Sequence, residues 1–209
     1  MIAITREVAT KVRDTVDAGL SEGIGDPIPG QMCVEAAVCY ALGLEHGDDP
    51  GCVSPSIRRL KIALNDRHWS SNASRAKGLR RLALAQLGSK GAVDDNEFRR
   101  RVVDMTIRKV VPIALRAAAS RVPKHAEALE SAAVRCEQDG TLEACRHART
   151  TAADAAAAAA AYADAAAAVD APRTRDRVLA QYAELVVEIL IDLKAPGCEW
   201  LDLAPLEAA

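Results

Sequence analysis

Three of the chain's six cysteines, one of its four histidines and an Asp-Asp pair fall within one stretch, "IPGQMCVEAAVCYALGLEHGDDPGCVSP", from Ile28 to Pro55. Cys33, Cys39, His46 and Cys52 are donors of the kind that hold tetrahedral zinc. Their spacing works against that use. Cys33 and Cys39 lie six residues apart, and at about 100° per helical residue their side chains point about 120° apart around the axis. Zinc sites draw on ligand pairs roughly two to four residues apart, and the stretch offers none. Neither a metal nor a cofactor is expected: Cys39 reads as a small core residue, and His46 and Cys52 as residues of a capped loop.

Cys33 suggests a second chemistry. In the first turn of a helix, unpaired N–H groups and the helix dipole depress a thiol's pKa, and Gln31 two residues earlier has an amide able to donate to an oxyanion. Gln31 followed by a helix-starting Cys33 resembles the nucleophile region of papain-like thiol proteases. The resemblance covers those two residues alone. It implies a histidine brought in on a sheet, and the chain has no strand pattern on which His68, His125 or His147 would arrive. Other signatures are missing. "GIGDPIPG" has Ile28 where a dinucleotide-binding loop needs its third glycine, and there is no GxxxxGK[ST] and no HExxH. Glu143 and His147 share a helical face but lack the further carboxylates of a di-iron bundle. Asp48 and Asp49 read as turn and capping acids.

A different signal lies in the charge layout. The formal net charge is −2, yet residues 1–54 carry 3 basic and 9 acidic side chains, 55–125 carry 17 and 5, and 126–209 carry 7 and 15. A basic middle between acidic ends either serves a polyanionic partner or is neutralised inside the fold. Candidate contacts are Arg58, Arg59 and Lys61 on one helix, Arg75, Lys77, Arg80 and Arg81 on the next, and Arg99 and Arg100 at the start of a longer one. Trp69, in the "NDRHWSS" connection, is expected in an exposed loop where its ring stacks on a base beside these cations. The two short helices flanking that connection superficially resemble a helix-turn-helix, with a longer turn that lacks glycine.

The elements that must position these residues are helices. Half of the residues are apolar, aromatics are only 3%, and alanine is abundant, which raises helical propensity. Val8, Val12, Val16 and Leu20 mark a first helix over roughly 4–20. The loop "EGIGDPIPG" ends it. A short helix, apolar nearly all round and therefore buried, runs from Met32 or Cys33 to Gly43. Ser54-Pro55 caps a helix over 55–65, and another spans about 71–87. Asp94 with Glu97 opens a long helix over 95–120 in which Pro112 predicts a kink. Helices follow over about 123–138 and from Thr141, the latter entering a segment with alanine at 14 of the 17 positions from Ala152 to Ala168. A last helix, with Val178, Tyr182, Leu185, Val186, Ile189, Leu190 and Leu193 on one face, is the expected centre of the core.

The segment from Gly25 through Ser89 is similar to one found in uncharacterised alanine-rich proteins of high-GC bacteria and their phages. The resemblance covers about a third of the chain and implies no activity, ligand or catalytic residue.

The expected architecture is an all-α array of seven or eight helices. It forms either one domain over 1–209 or a short-helix part over 1–90 and a long-helix part over 91–209. With no apolar leader and no span of about 20 strongly apolar residues, the expected location is the cytoplasm, away from membranes, with free thiols. The leading function is non-enzymatic binding of a polyanion, most naturally nucleic acid, by the basic helices. A helical oligomerisation or adaptor protein without nucleic acid is the alternative, in which alanine faces let helices approach closely across subunits. A thiol enzyme using Cys33 stands third.

Overall fold

A computed structural model of the chain describes residues 4–160 and 171–206, without the side chains of 155–160 and 171–174. Among the described residues the fold is all-α, with nine α-helices, no strand, and a single isolated β-bridge between Gly25 and Met32. No described helix is long and apolar enough to cross a membrane. The chain divides into two compact units, Met1–Arg99 with Arg175–Ala209, and Arg100–Thr174. The division therefore falls inside a helix, beyond the Gly88–Ala92 loop, and the C-terminal helix belongs with the N-terminal unit.

In the first unit, Thr5 caps α1 (Arg6–Asp17), which buries Ala9, Val12 and Val16 completely. The loop after α1 is tightly bonded. Ser21 N donates to Met32 O, Asp26 N to Gln31 O, and Cys33 N to Ile24 O. Gly25 sits at φ +67, where a Cβ would lie 1.9 Å from Gln31 O, so both conformation and space demand glycine. From this loop rises α2 (Val34–Ala41), with Cys33 as its N-cap. Every residue of α2 except Tyr40 is buried, as its all-round apolar pattern predicts.

Ser54 caps α3 (Pro55–Asn65), and its hydroxyl also bonds Asp95. Ser71 caps α4 (Asn72–Ala85), whose last turn continues into a run from Leu82 to Leu87 with no exposed surface. On the later α9 (Ala171–Asp192), Ala183, Leu185, Val186, Val187, Ile189 and Leu190 are buried while Ile191 is 47% exposed. All-round burial thus belongs to α2 and the end of α4. α9 is one-sided. A 3₁₀ segment, Pro196–Leu203, packs on α4 and α1. It approaches so closely that a Cβ on Gly197 would meet Leu84 O at 2.2 Å.

The second unit is a small bundle. α5 (Asp95–Met105), capped by Asp94 through Glu97 N at 2.8 Å, leads through a π-helical turn, Thr106–Val110, into α6 (Val111–Ala119). Pro112 cannot donate a helical hydrogen bond, and the widened turn just before it absorbs that loss where a kink is expected. After a 3₁₀ turn, Pro123–His125, α7 (Ala126–Asp139) packs along α6, and α8 (Leu142–Ala160) packs along α7. The core is built of small groups, Ala132, Ala133, Cys136, Ala144 and Ala148, around Ile107, Leu115 and Leu129. Arg108 closes the C-terminus of α7, donating to the carbonyls of Glu137, Gln138 and Asp139 at 2.6, 2.9 and 3.2 Å. Those carbonyls have no partner within the helix, and a guanidinium suits them by charge and by donor number.

Helices α1 to α4 run 8–14 residues and α6 to α9 run 9–22. With α5 at 11 residues and α6 at 9, both shorter than α4, there is no clean short-helix and long-helix division, and only the last two helices are long. Most of the alanine segment, with Ala157, Ala161 and Tyr162, lies outside the described residues or has undescribed side chains.

Candidate anion-binding cleft

The cysteine stretch folds into a core. Cys33 is 5% exposed, and its sulfur accepts a hydrogen bond from Ala36 N at 3.3 Å. Burial pushes the Cys33 thiol up despite that bond, the reverse of what a nucleophile requires. Cys39 is pushed up to about 12, again by burial. His46 shares a hydrogen bond with Gly25 O at 2.9 Å, which ties the second loop to the first. Among the described residues no group of three or more His, Cys, Asp or Glu is arranged to hold a metal ion.

Behind these residues lies an ionic core. Glu35, the one acid on α2, has no exposed surface and meets Lys61 of α3, also fully buried, at 3.3 Å. Gln86 Nε2 donates to the same carboxylate at 3.1 Å, while Glu35 Oε1 and Gln86 Oε1 accept no hydrogen bond. Burial raises the Glu35 carboxyl to about 7, although Lys61 and Arg58 oppose the rise. Burial also lowers the Lys61 ammonium, with Glu35 acting against it.

Three of the expected nucleic-acid contacts are therefore corrected by their surroundings. Lys61 is spent on Glu35. Arg75, 4% exposed, donates through Nε to Asn65 O and through Nη1 to Leu20 O, each at 2.9 Å, and so staples the end of α3 to the loop after α1. Trp69 is 5% exposed, its Nε1 donating to Leu64 O at 3.1 Å. Its ring lies over Gly78, where a Cβ would come within 2.4 Å of the indole. A residue so held has no face on which a base could stack.

Others are engaged but nearer the surface. Arg58 pairs with Asp48 and Asp49, and Arg80 with Asp17 at 3.3 Å. Arg81 pairs with Glu184 at 3.0 Å and donates to Ala204 O. Arg99 donates to Asn96. Arg59, Lys77, Arg99 and Arg100 are exposed. Much of the basic middle is thus neutralised by the chain's own acids.

A cationic concavity lies within the first unit. Ser74, Lys77, Gly78 and Arg81 follow the three-and-four spacing of one helical face on α4, and Arg177, Ala180, Gln181 and Glu184 do the same on α9. The two faces line a cleft of about 450 Å³. Arg80 joins the rim, Trp69 closes one side, and Pro205 and Leu206 add an apolar wall. Both acids in the lining are held by neighbours. Asp176 accepts from Ser70 N at 2.9 Å and from its hydroxyl, and Glu184 accepts from Arg81.

The cleft stands without a precedent to read it by. No protein-family model, curated protein or solved structure matches the chain.

Lys77, Arg80 and Arg81 were legible in the sequence as basic residues of one helix, but their counterpart Arg177 was not. Nothing in the sequence joins α4 to a helix about a hundred residues later. Gly78, in mid-helix, was the available clue to Trp69, because a helical glycine commonly marks the close approach of a bulky neighbour. The clue to the ionic core was Glu35, a single acid on a helix otherwise apolar all round.

Proposed function

We propose that this chain is a non-enzymatic helical protein that binds a polyanion, most naturally a nucleic-acid strand, through the cleft between α4 and α9. The observation that carries this reading is the convergence of Lys77, Arg80, Arg81 and Arg177 on one concave site whose two acids are already bonded. With the Asp17 that pairs with Arg80 counted beside Asp176 and Glu184, four cations face three carboxylates, so the lining keeps a positive balance, and a recess surrounded by low-dielectric protein strengthens its field. A duplex, broad and convex, engages such a recess poorly; a single strand can feed a phosphate into it. All six cysteines are free thiols, in keeping with a reducing compartment, and we place the protein in the cytoplasm.

The test is fluorescence anisotropy with labelled single- and double-stranded DNA and RNA across a range of salt. Binding should weaken linearly in log–log form as salt rises, with a shallow slope that reflects a few neutralised phosphates. The double variant Lys77→Glu, Arg177→Glu should lower affinity about tenfold or more on unrelated sequences, as charge reversal at phosphate contacts does. Absence of binding by the intact protein to any of these nucleic acids at low salt removes the reading.

A further inference from the structure

The second unit holds two of the chain's six free thiols, Cys136 on α7 and Cys145 on α8. Gly140, left-handed at φ +62, and Thr141, whose hydroxyl accepts from Ala144 N, turn the chain between the two helices. So short a connection makes α7 and α8 antiparallel neighbours. Their register is counted outward from the turn. Cys136 stands four residues before Gly140 and Cys145 four residues after Thr141; Ala133 and Ala148 stand seven out, and Leu129 and Ala152 eleven. Steps of three and four keep to one face of a helix, and all six residues belong to one apolar cluster or pack against it. The two cysteines are the innermost rung of this ladder. A second observation agrees. Burial pushes the Cys136 thiol up, and Cys145 is the next cause of that rise, ahead of Asp139 and Glu137 on Cys136's own helix.

Two further features suit the pair to covalent chemistry. Alanine at 132, 133, 144 and 148 surrounds the cysteines, so the two backbones can come as close as a disulfide demands, with Cα atoms roughly 4.4–6.8 Å apart. Access also differs between the thiols: Cys136 has no exposed surface, while Cys145 is partly exposed. An accessible thiol backed by a second one is the arrangement that converts a sulfenic acid into a disulfide. Metal binding does not compete for the pair, since among the described residues no third His, Cys, Asp or Glu joins it as a ligand.

We infer that Cys136 and Cys145 form a redox-modification site, oxidised by a hydroperoxide to a disulfide that ties α7 to α8 beside their turn. This goes beyond anion binding and does not rest on the α4–α9 cleft. In the first step the Cys145 thiolate attacks one peroxide oxygen and the O–O bond breaks, leaving a sulfenic acid and a hydroxide that takes up a proton. In the second, the Cys136 sulfur gives up its proton and attacks the Cys145 sulfur; the S–S bond forms and the hydroxyl leaves with that proton as water. Two thiols and one hydrogen peroxide give one disulfide and two waters. A dithiol reductant restores both thiols by exchange. The bond fixes α8 at its root, beyond which the core consists largely of alanine methyls.

The experiment exposes the reduced full chain to dilute hydrogen peroxide in native buffer, then unfolds it, alkylates it and digests it with trypsin. Cleavage after Arg135 and Arg146 releases both cysteines on one peptide, CEQDGTLEACR. That peptide should be lighter by two hydrogens and carry no alkyl group. It should form about tenfold faster or more in the folded chain than in urea, because the hairpin already places the second thiol. Cys136→Ala puts the cluster's commonest residue in the buried position and should stop the reaction at a Cys145 sulfenic acid, captured by dimedone. Cys145→Ser should leave Cys136 unmodified at the same exposure. Amide hydrogen exchange along α7 and α8 should slow on oxidation and return when dithiothreitol is added. Two alkyl groups on the peptide after an exposure that oxidises Cys52 or Cys198, or a disulfide that forms no faster than in urea, overturns the site. A disulfide that leaves exchange in both helices unchanged overturns its role as a tie.

Discussion

The two units treat charge differently. The first has exposed pairs, such as Arg6 with Asp202, but also takes charge inside: Glu35, Lys61 and Arg75 sit below 5% exposure, bonded to one another's elements. In the second unit, Arg116 pairs with Glu130 and Glu137, and Arg135 with Asp139 and Glu143, all with side chains at least 38% exposed. The contrast follows from what each core is made of. α2 and the end of α4 are walled in on all sides, so a charge placed there must find its partner in the interior. The alanine and cysteine core of the second unit is thin and leaves long side chains to reach around its rim. A buried ion pair adds little net stability compared with apolar residues of the same shape, but breaking one leaves an uncompensated charge. Surface pairs cost little to lose.

Removing one member of the buried pair should have the largest effect. Lys61→Met leaves the Glu35 carboxylate without its cation and should destabilise the first unit by about 3–5 kcal/mol in chemical denaturation, the range for a broken buried pair. The sign of the pH dependence follows from Glu35. Its ordinary value of 4.5 is raised to about 7 in the folded protein, so folding is coupled to proton uptake between those values, and stability falls as pH rises through that window. Lys61 restrains the rise, as does Arg58, while Asp48 adds to it. Without Lys61 the carboxyl moves higher still. The variant should therefore lose more stability at about pH 8 than at about pH 5, where Glu35 takes up its proton and is neutral. An equal loss at both would mean that the pair is not ionic in the folded state. Glu35→Gln combined with Lys61→Met should recover most of the loss, since it deletes both charges together.

An intermediate effect is expected where the first unit packs a ring against a helix. Gly78 faces Trp69, and an added Cβ would also lie 3.3 Å from the Ala180 methyl. Gly78→Val should cost about 1–3 kcal/mol as an overpacked site, with a red-shifted tryptophan emission as the indole is displaced. Gly78→Ala should do the same more weakly, because alanine's gain in helical propensity, about 1 kcal/mol, offsets part of the clash. If alanine stabilises the protein and leaves the emission unchanged, Trp69 is not seated on Gly78.

Local rules carried the fold a long way. Capping at Ser54 and at Asp94, the glycine after α2 and the all-round apolar face of α2 each depend on residues a few positions apart, and each is present in the structure. The candidate site depended on distance. Arg75, Arg80 and Arg81 are the same residue type on one helix, yet one staples loop carbonyls, one meets Asp17, and one meets Glu184 from the far end of the chain. Apart from the Arg75 bond to Asn65 O, ten residues away, the partners that decide which cation is structural lie 55 to 123 residues away. Trp69 was misread for the same reason: a large aromatic in a polar connection looks exposed until the helix that covers it is known. Arg177, for its part, carries no pattern of its own. It matters only because α9 returns to the first unit.

The smallest effect should come from the second unit's surface network, which looks the richest in hydrogen bonds. Arg116 contacts both oxygens of Glu130, between 2.8 and 3.1 Å, and both oxygens of Glu137 at 2.5 and 3.0 Å. Its neighbours raise the Arg116 pKa, and Arg116 in turn lowers that of Glu137. The side chains are nonetheless 41, 48 and 38% exposed. Water screens such charges, and holding three long side chains in one arrangement costs rotamer entropy. Arg116→Ala should therefore change stability by less than about 1 kcal/mol, with the difference shrinking further as salt is raised. Arg116→Lys should be no better than alanine by more than a few tenths of a kcal/mol, because a point charge cannot reproduce the fork that spans two carboxylates. A loss approaching that of Lys61→Met would show that the small alanine core depends on its rim, and the difference between the two units would then lie in where the charges sit and not in how much they matter.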